Sequence, residues 1–217
     1  MPFILGSRSP RRRELLEPIV GSDQLVVCPP EDSDELDFEG LHDIDSIRQR
    51  LQQVVQTKMD DVRQQVRRTH PVDEACCVTA DTIVVATNPQ GSHVVLGQPS
   101  ENSWQEQVRD WMLRFYSETA HEVWTGWQVA KGVRSQNGIV CTTVRFCEIT
   151  PKLADWYVAT GESVGKAGGY AVQGAAAAFV ETIEGSLTNI IGLPVMEVTR
   201  ALRELGYDVP VVSGAVG

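Results

Sequence analysis

Apolar positions along the chain change period several times, and each change predicts an element. Phe3 to Leu5 is a short strand run that turns sharply into "GSRSPRRRELLEPIV", with Ser9 as N-cap and Pro10 as the first helical residue. Leu25 to Val27 reads as a short strand, and the acidic, turn-rich "CPPEDSDELDFEGLHD" as the loop leaving it. From Ile44 to Arg68 the period becomes helical, with Ile47, Leu51, Val54, Val55, Met59 (or Lys58) and Val62 on one face. "ACCVTADTIVVAT" holds two apolar, β-branched runs interrupted by Thr79-Ala80-Asp81-Thr82. "SWQEQVRDWMLRFY" is an amphipathic helix led by Ser103 as cap, and "HEVWTGWQVAKG" and "GIVCTTVRFCEIT" alternate as strands. "NPQGS" and "SQNG" are hairpin-type turn signals. Pro151 opens a helix through Val158, and a last helix, Pro194 to Glu204, ends at Gly206.

Strands and helices alternate early while hairpins fill the middle, which predicts an α/β fold of mixed α+β character built on a mixed sheet. A chain of 217 residues suits one domain, or two small lobes sharing a core, over 1–217, with 207–217 as a short strand and tail. Neither the GxGxxG nor the GxxxxGK[ST] pattern occurs, so neither a Rossmann nor a P-loop site is supported.

Composition narrows the partners. The net charge of −10 disfavours nucleic acid and anionic membrane, which makes Arg11, Arg12 and Arg13 a local exception. Five cysteines without a CxxC pair suit a reducing compartment. With no signal-peptide shape and no run of about 18 apolar residues, the expectation is a soluble, cytoplasmic protein.

Arginines in the first turn of a helix oppose its dipole, at about 0.3–1 kcal/mol each if nothing compensates. Two readings remain: the forks grip a phosphate at the helix start, or they point to solvent and pair with Glu14, Glu17 or loop acids. Asp81 is either a turn aspartate or a cleft carboxylate that binds Mg²⁺ or activates water. Lys58 reaches into a cleft or snorkels. In "ESVGKAGGYAVQG" the glycines permit close backbone approach, Lys166 supplies a mobile cation and Gln173 a two-sided hydrogen-bonding head; the alternative is a tight turn. Glu35, in "EDSDE", carries no specific signal of its own. Scattered histidines indicate no zinc site.

Taken in order, "SRSPRRRELL", the acids at 34–35, "ADTIVV", "LGQP", "HEVWTG", "TTVRF", "GKAGGYAVQG" and "EGSLTNIIGLPV" resemble the successive motifs of Maf-type nucleoside triphosphate pyrophosphatases. The resemblance covers residue 3 to about 206 and implies an elongated mixed sheet flanked by helices, with a deep cleft between two lobes, related to the inosine triphosphate pyrophosphatases. It implies a cytoplasmic enzyme, dependent on Mg²⁺, Mn²⁺ or Co²⁺, that converts a nucleoside triphosphate to the monophosphate and pyrophosphate. The "AGGYAVQG" form resembles the branch acting on dTTP and UTP. Members are often dimers, so a homodimer is a further expectation.

Residue by residue, the resemblance makes Asp81 the proton acceptor and associates Arg11, Thr82 and Gln173 with substrate choice. Ser9, Arg12, Glu35, Lys58 and Lys166 become other polar members of the site. Catalysis is then expected from Asp81, Glu35 and Lys58, and metal ligation from Glu35 and Asp81. Two positions depart from the family pattern: Gln98 stands where a lysine is usual, and Gly165 where an acid is usual. Arg8 and Arg13 are candidate replacements for the missing cation. The rival reading is a non-catalytic nucleotide-binding regulatory protein, linked to cell division, with a degenerate site.

Overall fold

A computed structural model describes residues 2–31, 36–68, 75–88 and 90–209. Seven strands form one mixed sheet: β1 (Phe3–Gly6), β2 (Leu25–Val27), β3 (Cys76–Thr87), β4 (His93–Leu96), β5 (Ala120–Lys131), β6 (Arg134–Phe146) and β7 (Val180–Glu184). Their order is β2-β1-β3-β5-β6-β7, with β4 also beside β3. The helices are α1 (Pro10–Val20), α2 (Ile44–Val66), α3 (Trp104–Trp111), α4 (Pro151–Ala159), α5 (Leu187–Ile191) and α6 (Val195–Glu204). The mixed α/β class expected from the sequence is the one observed. No described helix is long and apolar enough to cross a membrane.

β3 organises the rest. One of its edges pairs without interruption to β5, from Cys76 opposite Lys131 to Val85 opposite Glu122. The other edge is shared: β1 pairs in parallel with Cys76–Thr79, and β4 pairs antiparallel with Val84–Thr87. Among the described residues no strand lies beside Ala80 to Ile83 on that edge, and the sheet opens there.

Successive side chains of a strand point to opposite faces. Cys77, Ile83 and Val85 pack under α2, whose Ile47, Leu51, Met59 and Val62 are fully buried at helical spacing, as the sequence predicts. Asp43 caps α2 by accepting the Ser46 N–H at 2.8 Å. Gly126 of β5 lets this helix approach: a Cβ there would lie 2.9 Å from Val55 Cγ2. On the other face Val78 and Ala80 pack under α1 and α6, while Val84 and Ala86 pack under α3, α4 and the wide helical turn Met112–Tyr116 that continues α3.

Several sequence expectations shift. β3 is one strand of 12 residues rather than two runs with a break. An aspartate in mid-strand lowers β propensity, but unbroken pairing with β5 outweighs it. "SQNG" lies within β6; the hairpin turn is Gly132-Val133, flanked by the Lys131–Arg134 pair. Ser103 precedes α3 without a side-chain capping bond, and its hydroxyl instead meets Ser100 Oγ at 2.7 Å. Of the strand expected at 207–217, Tyr207 to Val209 form none, and 210–217 lie outside the described residues.

Candidate functional site

A cleft of about 1570 Å³ opens where β3 lacks a neighbour. Ser9, Arg11, Arg12, Lys58, Asp81, Thr82, Lys166 and Gln173 all line it. Glu35 lies outside the described residues. The cleft therefore brings together every expected site residue that the structure describes.

Asp81 and Thr82 are consecutive in β3 and so leave it on opposite faces. Asp81 lies on the α2 side, where Lys58 Nζ donates to its Oδ1 at 2.6 Å; both side chains are 13% exposed. Lys58 is the polar member of the otherwise apolar α2 face, so the helix that covers this face also delivers a cation to the gap. Thr82 lies on the α1 side. Its hydroxyl meets Thr125 Oγ1 at 2.9 Å, and Thr125 donates to the Asn189 carbonyl at 3.0 Å. Asn189 Nδ2 in turn donates to Val123 O at 2.9 Å and to Thr142 Oγ1 at 3.0 Å. Thr125, Thr142 and Asn189 are fully buried, and this network braces Thr82 against β5, β6 and α5.

The arginine cluster resolves into three different fates. Arg12 extends its fork inward: Nε donates to Gly192 O at 2.9 Å, one terminal nitrogen to Ser7 Oγ at 3.2 Å and the other to Thr82 Oγ1 at 3.1 Å. Gly192 caps the C-terminus of α5, so the cation meets the negative end of that helix. Arg13 is 56% exposed and pairs with Glu17 at 3.5 Å, which is the solvated reading for this one residue. Arg11 is half-buried on the cleft wall, and burial lowers its pKa against the opposing charges of Glu14 and Glu162. Ser9 caps α1 through the Arg12 N–H, and Ser7 Oγ accepts the Ser9 N–H at 3.2 Å.

Across from Arg11 runs the glycine loop. Lys166 Nζ donates to the Glu162 carbonyl, and its pKa falls through burial and then through the nearby Arg11 cation. Gly168 and Gly169 adopt φ of 67° and 70°, a left-handed conformation that glycine accepts without strain. Buried hydroxyls hold this shape: Tyr116 donates to Gly168 O at 2.8 Å and Tyr157 to Gly169 O at 3.2 Å. Tyr170 O–H and His121 Nε2 are 2.7 Å apart, and burial drives the His121 pKa down to about 3, so this imidazole is neutral. Gln173 lies exposed at the cleft rim.

Of the two departures from the family pattern, Gln98 and Gly165 both line the cleft, as does Arg8, whose fork donates to Pro30 O at 3.1 Å. Arg13 is not among the lining residues, so Arg8 is the better placed of the two candidate replacements. The described acids along the cleft are Asp37, Glu39, Asp81 and Glu101, and no three described metal-ligating side chains cluster. Carboxylate oxygens are the donors that a hard cation takes.

Thr125 and the buried tyrosines were not singled out by sequence reasoning. Thr125 would have required the β3–β5 register, which puts it directly opposite Thr82. The Asn189 amide braces β5 and β6.

Comparison with known proteins adds a separate line of evidence. The family profile described as "Maf-like protein" matches residues 2–205. A protein of Anaeromyxobacter sp. (strain Fw109-5), named dTTP/UTP pyrophosphatase, is 37% identical over 96% of this chain and 91% of its own length. Proteins of the same name from Symbiobacterium thermophilum and Pyrococcus furiosus are 35% and 33% identical, over 99% and 94% of this chain and 98% and 95% of their own lengths.

Proposed function

The chain belongs to the Maf-like protein family, and on that premise we propose that it hydrolyses nucleoside triphosphates of the dTTP/UTP kind to the monophosphate and pyrophosphate. One observation carries the reading: a single cleft unites the Lys58–Asp81 pair with the cations Arg11 and Lys166. A carboxylate that can receive a proton and cations that can hold a polyanion are the two parts this reaction needs.

In the proposed reaction Asp81 orients a water and accepts its proton, while Lys58, donating to Oδ1, fixes the carboxylate. The water oxygen bonds to the α-phosphorus as the bond to the bridging α,β-oxygen breaks, and pyrophosphate carries away the electron pair. Arg11 and Lys166 stabilise negative charge on the leaving group. Arg12, already bound to Ser7, Thr82 and Gly192, keeps the turn and strand in place around it. Gln173, with Thr82 and Arg11, shapes the base pocket. Glu35 and Asp81 would hold a divalent cation, which would supply positive charge to offset that of the phosphates.

The test is pyrophosphate release across a panel of nucleoside triphosphates, with Mg²⁺, Mn²⁺ and Co²⁺ each supplied. The expected result is one pyrophosphate per monophosphate, fastest with dTTP or UTP. Gln98 and Gly165 on the cleft wall favour a second reading, a nucleotide-binding regulator. Nucleotide-dependent thermal stabilisation without pyrophosphate release would decide for it.

A further inference from the structure

The main chain of β3 offers the cleft a donor that its side chains do not. Along a strand, the N–H and C=O groups of alternate residues point to opposite edges. At the start of β3 the Cys76 N–H donates to Pro2 O at 3.1 Å, on the β1 side. Just past its end the Asn88 N–H donates to Ser92 O at 2.9 Å, on the β4 side. β1 and β4 share one edge, and the register with β5 on the other runs without a break. Val78, Ala80, Thr82, Val84 and Ala86 therefore aim their main-chain groups at the β1/β4 edge, while Asp81 and Ile83 aim theirs at β5.

Pairing with β1 ends at Thr79 and pairing with β4 begins at Val84. Ala80 adjoins the end of β1, and Thr82 lies in the gap itself. Among the described residues, no strand, loop or side chain brings an acceptor to the Thr82 N–H there. Its hydroxyl is engaged already: it accepts from Arg12 at 3.1 Å and meets Thr125 Oγ1 at 2.9 Å and Gly192 O at 3.5 Å. The donor Thr82 has left for a ligand is its main-chain N–H. Thr82 is half-buried and lines the cleft, a setting in which an unmatched main-chain donor is costly.

The edge of a sheet lies between its two faces. Asp81 leaves one face toward Lys58, and Thr82 leaves the other toward Arg12. The glycine loop that carries Lys166 is on the Thr82 side, since a Cβ on Gly168 would lie 2.5 Å from Val84 Cγ2. The gap thus runs between the carboxylate and the cations.

We propose that the Thr82 main-chain N–H is a catalytic donor that bonds a non-bridging oxygen of the α-phosphoryl group. That group lies in the gap, with the Asp81 carboxylate on one side and the cations on the other. The proposal rests on reading the cleft as a triphosphate site. A donor fixed in a strand needs no rearrangement as charge shifts among the phosphoryl oxygens.

No side-chain replacement deletes this group, so the test exchanges Thr82 in the full chain for its α-hydroxy acid, which turns the N–H into an ester oxygen. The kcat for dTTP is expected to fall about 100-fold, with KM changed by less than about threefold. The same exchange at Ile83, whose N–H belongs to the β5 ladder, controls for backbone damage. It is expected to lower the unfolding temperature more and kcat less. A Thr82 ester with wild-type kcat, or one whose loss of kcat the Ile83 ester matches, overturns the proposal.

Amide exchange followed by NMR needs no variant. In the free protein the Thr82 N–H is expected to exchange at least about tenfold faster than those of Asp81 and Ile83, and to slow by about as much with Mg²⁺ and α,β-imido-dUTP, an uncleavable analogue. A Thr82 amide already protected in the free protein, or one that the analogue does not slow, overturns the proposal. The hydrolysis assay keeps the two readings apart. Slowing by the analogue in a protein that hydrolyses no triphosphate retains the donor and removes the proposed activity, while hydrolysis by the Thr82 ester at the wild-type rate does the reverse.

Discussion

Asp81 and Arg12 show how differently two charged residues of one cleft are used. Asp81 sits in mid-strand, where β propensity alone disfavours it, and is retained against the cation Lys58. Asp81→Asn preserves size and breaks the charge pairing. It is expected to reduce pyrophosphate release at least 100-fold with little change in thermal unfolding, checked by assay and calorimetry on one preparation. Full activity would remove Asp81 from the role proposed for it. Arg12 instead touches Ser7, Thr82 and Gly192, residues far apart in the chain. The sequence shows that three arginines crowd a helix start, but not that one points inward, one lines the cleft and one pairs with Glu17. Their azimuths around α1 decide that, and those depend on where β3 and α5 are packed.

At the scale of elements, α2 was legible because 23 residues repeat one apolar stripe, and period is the strongest local signal. β3 was less legible. Its polar interruption looks like a turn unless the β5 pairing is known, and pairing between distant segments leaves no local trace. The glycine loop shows the same limit: its glycines are evident, but the hydroxyls of Tyr116 and Tyr157 that hold it come from two other elements. His121, beside Tyr170, supplies a pH test of that clamp. The folded protein holds the His121 pKa near 3, whereas the unfolded chain titrates at about 6.5. Stability from this group is complete above pH 6.5 and is lost as pH falls toward 3, because only the unfolded chain takes the proton. Between pH 7 and pH 5 the loss is expected to be about 2 kcal/mol, read from urea midpoints. His121→Gln is expected to flatten that part of the curve, and an unchanged slope would contradict the burial argument.

For the whole molecule, the class of fold and the membership of the cleft could be anticipated, since the motifs that resemble the family carry residues to it, except "TTVRF", which contributes none, and the acids at 34–35, which lie outside the described residues. The topology that gathers them could not, because a parallel and an antiparallel neighbour on one edge of β3 is a fact about the sheet and not about any segment. The four apolar clusters are built from side chains and hold no described metal-ligand group. Chelation with EDTA is therefore expected to abolish pyrophosphate release and leave the unfolding temperature within about 2 °C, with Mg²⁺ restoring turnover. A large fall in unfolding temperature would assign the ion a structural part as well. The shared edge of β3 has a last consequence. A strand clasped at one end by a neighbour running alongside and at the other by one running against it has no direction in which to slip, since a one-residue step would break both ladders and carry Asp81 to Thr82's side. New substrate preferences in such a scaffold would have to arise by rewriting the rim, because the floor has only one setting.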